Sequence, residues 1–95
     1  RTPLVYIVTF GGESTVKGIQ LLNTLRNMGI SADIDYDQKG LKNQMKKADR
    51  SGAKYALILG EDELSRGAFT LRYLNDSAQK EVSEHEAIEI IRGSN

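Results

Sequence analysis

The sequence predicts an α/β domain of three layers, with a five-stranded mixed sheet in the order 2-1-3-4-5 and three main helices. Three observations predict it. Leu4–Val8 and Tyr55–Leu59 are short apolar runs rich in β-branched or aromatic residues, the pattern of strands covered on both faces. Stretches of helical apolar spacing alternate with these strands, which is the signature of parallel strands joined by crossover helices. After the third strand the pattern changes to two β-rich stretches around Asn75-Asp76, then a last helix, so the sheet ends in an antiparallel hairpin.

Leu4-Val5-Tyr6-Ile7-Val8 is read as the central strand. Gly11-Gly12 turn the chain, and Ser14 or Thr15 is expected to cap a helix that runs to about Met28. Its apolar residues Val16, Ile19, Leu21, Leu22, Leu25 and Met28 span a wide arc, predicting a largely packed helix that Gly29 stops. Ser31 to Asp37 alternates, with Ala32, Ile34 and Tyr36 on one side and Asp33, Asp35 and Asp37 on the other. That is the pattern of an edge strand with one wet face. Leu41, Met45 and Ala48 mark the buried stripe of a second helix ending near Gly52, with Lys42, Lys46, Lys47 and Arg50 on its other sides. Gly60 to Gly67 is a turn after the third strand. Ala68–Leu74 and Ala78–Val82 are the hairpin strands. Ser83-x-x-Glu86 forms a capping box, with Val82 and Ala87 as a hydrophobic staple, and Ile88 and Ile91 bury the last helix.

Composition narrows the function. Ninety-five residues make one domain, residues 1–95. No apolar run reaches the ~18 residues of a membrane span, and no signal peptide is recognisable. With no cysteine there is no disulfide framework or thiolate metal site, which fits a reducing compartment. Net charge is zero but unevenly spread: residues 39–54 hold six Lys or Arg against one acid, and residues 75–95 hold five acids against two bases. That balance argues against coating DNA. A local basic face suits a small, shaped RNA, although a solvated helix face explains the same charges.

Catalytic and metal motifs are wanting. Phe10-Gly11-Gly12-Glu13 follows a strand and opens a helix, where phosphates often bind, but fits neither dinucleotide nor phosphate-loop spacing. A plain turn is the favoured reading, with RNA contact open. Asp33-x-Asp35-x-Asp37 starts like a calcium loop and fails at Gln38 and Gln44, where Gly and Glu are required. His85, the lone histidine, has no partner for a zinc site or a triad. Glu61, Asp62 and Glu63 cluster past a strand end, and Arg72 follows on the next strand. The acids suit the N-terminus of a short helical turn, and Glu63 with Arg72 could be a structural ion pair. Alternatively, a carboxylate accepts from an exposed base edge while Arg72 donates a fork to guanine or phosphate.

Three strings narrow the choice: Leu25-Arg26-Asn27-Met28-Gly29-Ile30, Leu41-Lys42-Asn43-Gln44-Met45-Lys46-Lys47-Ala48-Asp49, and Ile58-Leu59-Gly60-Glu61-Asp62-Glu63-Leu64. Together they resemble the C-terminal anticodon-binding domain of histidyl-tRNA synthetases over about residues 4–91. The resemblance implies a fragment from the C-terminus of a longer, cytoplasmic, homodimeric synthetase. This domain would bind the anticodon loop of histidine tRNA beside the parent's catalytic domain, without membrane or DNA. ATP and magnesium would belong to the parent; no cofactor, metal or catalytic residue is expected here. The resemblance implies anticodon contacts at Gln38, Glu63 and Arg72; the charge pattern adds Lys42 and Lys46, the acidic turn adds Glu61, and Phe10, Gly11, Gly12 and Glu13 are loop candidates. Histidyl enzymes often carry Lys where this chain has Arg72. The alternative is a regulatory or oligomerisation domain of a synthetase paralogue, as in histidine-biosynthesis regulatory subunits or stress kinases.

Overall fold

A computed structural model describes residues 2–37 and 40–95. The elements are β1 Val5–Val8, α1 Gly12–Asn27, β2 Ala32–Ile34, α2 Gly40–Ser51, β3 Tyr55–Ile58, α3 Glu61–Ser65, β4 Ala68–Tyr73, β5 Gln79–Ser83 and α4 Glu84–Gly93. The five strands form one sheet in the expected order β2-β1-β3-β4-β5. β1 pairs in parallel with β2 and β3, while β3–β4 and β4–β5 are antiparallel. A fourth helix, the five-residue α3, adds to the three expected.

Strand alternation divides the sheet into two faces. Val5, Ile7, Tyr55, Leu57, Phe69, Leu71 and Val82 face α1 and α4, and pack with Leu21, Leu22, Leu25, Ala87 and Ile91 in the larger core. Tyr6, Val8 and Ile58 face α2 and pack with Met45, Ala48, Ala53 and Leu74 in a smaller one. One helix does not cover a five-stranded face. The α2 side of β4 and β5 therefore carries polar residues: Thr70 and Arg72 on β4 are half-buried, and Glu81 and Gln79 opposite them are exposed.

Several boundaries differ from expectation for identifiable reasons. α1 starts at Gly12, inside the expected cap, and Ser14 and Thr15 act from within it. The Ser14 hydroxyl accepts from Phe10 N (3.1 Å) and donates to Leu59 O (2.7 Å), while Thr15 Oγ1 accepts from Gly11 N (3.1 Å). The packed arc of α1 is narrower than its apolar spacing suggests. Val16, Ile19 and Met28 are exposed, and the buried line is Ser14, Gly18, Leu21, Leu22 and Leu25. Gly18 lets the helix approach β1 closely; a Cβ there would lie 2.5 Å from Thr9 Cγ2. α1 stops as expected at Gly29, whose φ of +78° is left-handed. Gly29 N donates to Arg26 O (3.0 Å) and Ile30 N to Leu25 O (2.9 Å), and Ile30 closes over Leu25 in the core.

β2 ends at Ile34, so the alternation expected through Asp37 breaks there. Asp35 turns inward and Tyr36 outward; only Asp33 and Asp37 of the three acids are exposed. Lys47 rewards that turn, its ammonium lying 3.2 and 3.1 Å from the two oxygens of Asp35 and 3.5 Å from Asp37. On α2 the buried stripe is Gln44 and Ala48; Leu41 is exposed and Met45 half-buried. Gln44, fully buried, accepts from Thr9 N (3.1 Å) and donates to Thr9 O (2.7 Å), pairing both backbone groups just past β1. The capping box of α4 is present in one arm: Ser83 Oγ accepts from Glu86 N (3.0 Å), while the Glu86 carboxylate lies 3.4 Å from Lys80 Nζ.

Candidate nucleic-acid interface

Of the expected RNA-binding residues, five line one cleft and Arg72 lines another. Phe10, Gly11, Gly12, Glu13 and Glu61 line a cleft of about 390 Å³ between the β1–α1 turn and α3, together with Ser14, Leu64 and Ser65. Its chemistry opposes a phosphate. The Phe10 and Gly11 N–H groups, which would otherwise face an anion, are taken by Ser14 and Thr15. Glu13 and Glu61 line the cleft and no cation does.

The second region lies on the α2 side of the sheet. There Leu41, Met45 and Asp49, successive along one face of α2, meet Ile58, Arg72, Leu74, Ser77 and Gln79 around a cleft of about 300 Å³. Half-buried Arg72 projects into it from β4, and its Nη1 donates to Gln79 Oε1 across the strand pair (2.8 Å). The apolar side chains supply walls, Arg72 supplies donors, and Asp49 supplies acceptors. Asp49 and the exposed Leu41 are members that sequence reasoning missed. The 41-45-49 spacing on the helix marks one face, but only the sheet register shows that this face meets Arg72.

Glu63 and Arg72 do not pair. Glu63 folds its carboxylate back over Gly60, the residue preceding α3, and lies 3.9 Å from Arg66. Arg66 in turn holds Glu81 on β5 at 2.8 Å. The Arg66 hydrogen bond keeps the Glu81 carboxyl below its ordinary range, and the same bond raises the Arg66 guanidinium. Glu63 thus stands in the first turn of α3, where the helix N-terminus favours an acid.

Lys42, Lys46 and Arg50 are exposed on α2 and form no ion pair among the described residues. Lys47 differs: its ammonium is held above its ordinary value, first by its hydrogen bond to Asp35. The Tyr6 hydroxyl on this side is likewise raised, first by burial and then by Asp35. Gln38 lies outside the described residues. No helix among them is long and apolar enough to cross a membrane.

Comparison with known proteins bears on the family and the fold. The chain is 41% identical over 92% of its length to the histidine–tRNA ligase of Corynebacterium jeikeium, and 42% identical over 94% to that of Listeria monocytogenes. It spans only 20% and 21% of those proteins. The apo histidyl-tRNA synthetase of S. aureus superposes with a TM-score of 0.87 at 33% identity, covering 95% of this chain and 23% of that one. The RNA binding domain of threonyl-tRNA synthetase from Cryptosporidium parvum shares the fold, with a TM-score of 0.86 at 15% identity over 96% of this chain and 23% of that one. A family model described as an anticodon binding domain matches residues 4–94, and the chain belongs to that family.

Proposed function

We propose that this chain is the recognition module of a histidine–tRNA ligase and binds the anticodon region of histidine tRNA through the α2 side of its sheet. The observation that carries this reading is the combination on that side of cations not used in folding, Lys42, Lys46 and Arg50, with a cleft holding Arg72. Lysines on a helix meet phosphates and position the RNA, and a guanidinium set among apolar walls reads a base. Glu61 and the Phe10–Glu13 loop, which line the other cleft, are proposed as further contacts, and Gln38 precedes α2 in the chain.

The parent is proposed to be a cytoplasmic, homodimeric ligase whose separate catalytic domain uses ATP and magnesium to activate histidine. This chain supplies no step of that reaction. With histidine and ATP it should show no pyrophosphate exchange above background, in a preparation free of host synthetase.

The proposal is tested by titrating the chain against a labelled histidine anticodon stem-loop at several salt concentrations. Affinity should be modest and should fall with salt, because each bound Lys or Arg releases phosphate counterions. Absence of binding at low salt would refute it, and would favour the regulatory or oligomerisation reading.

A further inference from the structure

We infer that Asp49, rather than Glu63, is the carboxylate that works with Arg72, and that the cleft between α2 and β4–β5 takes an unpaired guanine. This rests on the RNA-binding reading and names the ligand within that surface. Glu63 is outside the cleft, and its carboxylate lies 3.9 Å from Arg66. Asp49 is inside it, and its carboxylate has no ion pair or hydrogen bond among the described residues.

The lining matches the ligand group by group. Gln79 occupies Nη1 of Arg72, which ties the guanidinium to β5, while Nε and Nη2 have no hydrogen-bond partner among the described residues. A guanidinium donates in a fork, and guanine presents O6 and N7 as paired acceptors. An ionised carboxylate only accepts, and guanine presents N1–H and the 2-amino group as paired donors. Cytosine and adenine each have one amino donor, and uracil has a single N–H, so each leaves the carboxylate less well met. Leu41, Met45, Ile58 and Leu74 give the base apolar surface, and the exposed Leu41 gains cover when a base enters. Gln79 is a positioning residue here, acting through Arg72.

The test uses this chain and anticodon stem-loops in which guanine is replaced, one position at a time, by inosine, which lacks the 2-amino group, or by 7-deazaguanine, which lacks the N7 acceptor. At one position each replacement should weaken wild-type binding by roughly tenfold, the scale of one base contact. Asp49→Asn should abolish the inosine penalty and keep the 7-deazaguanine penalty. Arg72→Ala should do the reverse. Gln79→Ala should reduce the 7-deazaguanine penalty, with Gln79→Glu restoring it. Glu63→Gln should leave both penalties in place. If Glu63→Gln rather than Asp49→Asn removes the inosine penalty, the assignment of Asp49 is wrong. If no guanine replacement matters while the natural loop still outcompetes a scrambled one, this cleft is not the reading site and the RNA-binding reading survives. Equal binding of natural and scrambled loops removes both. Asp49 and Gln79 are exposed, and unchanged melting of each variant shows that an altered penalty reports contact rather than unfolding.

Discussion

Gln44 is where local pattern and tertiary demand part. Helical spacing puts Leu41, Met45 and Ala48 on one stripe, yet the polar Gln44 beside them is fully buried. The residues just past β1 need both Thr9 backbone groups paired, and only a side chain with an acceptor and a donor does both. Gln44→Leu leaves those two groups unsatisfied and should cost about 1–3 kcal/mol for each. Urea denaturation would measure it, and a loss below about 0.5 kcal/mol would mean that water replaces the amide. Gly18→Ala makes a related prediction. Alanine gains about 1 kcal/mol of helix propensity, but its Cβ would meet the branched, tightly set side chain of Thr9 at 2.5 Å. Overpacking of about 1–3 kcal/mol should win, so the variant should be less stable than wild type. A raised melting temperature would show that α1 shifts freely. Neither residue's role was legible in the sequence, because each depends on a backbone that arrives from elsewhere.

Elements were more legible than contacts. Gly29 as a helix stop, Ser83 as a cap and Asn75-Asp76 as a hairpin turn follow from local stereochemistry, and each is found where expected. Reading failed where a strand end responds to another element: Asp35 turns inward because Lys47 on α2 meets it. Glu63 and Arg72 look like a pair by spacing and charge, yet Arg66 intervenes and couples Glu63 to β5 through Glu81. That coupling has a pH consequence. Glu81 has a folded-state pKa below its ordinary 4.5. Its contribution is therefore complete above about pH 4.5 and is lost as pH falls through the lower folded value. Glu81→Gln should make the melting temperature fall less than in wild type between pH 7 and pH 3. The difference should be small, since this pair is exposed. An identical fall in both proteins would show that Arg66–Glu81 does not hold β5.

At the scale of the molecule, function follows from uneven coverage of the sheet. α1 and α4 seal one face, α2 seals only part of the other, and the uncovered part of β4–β5 beside a basic helix is the proposed RNA surface. Lysines at its border should supply affinity without sequence preference. Lys42→Ala or Lys46→Ala should weaken natural and scrambled loops alike and flatten the salt dependence by about one unit of slope. A loss confined to the natural loop would place those lysines on bases instead. The central claim is that this surface reads an anticodon, and one competition measures it most directly. The chain is titrated at moderate salt with a histidine stem-loop carrying GUG and with the same stem carrying a scrambled anticodon. The account predicts at least about tenfold tighter binding of GUG, the worth of one good base contact; equal affinities would contradict it.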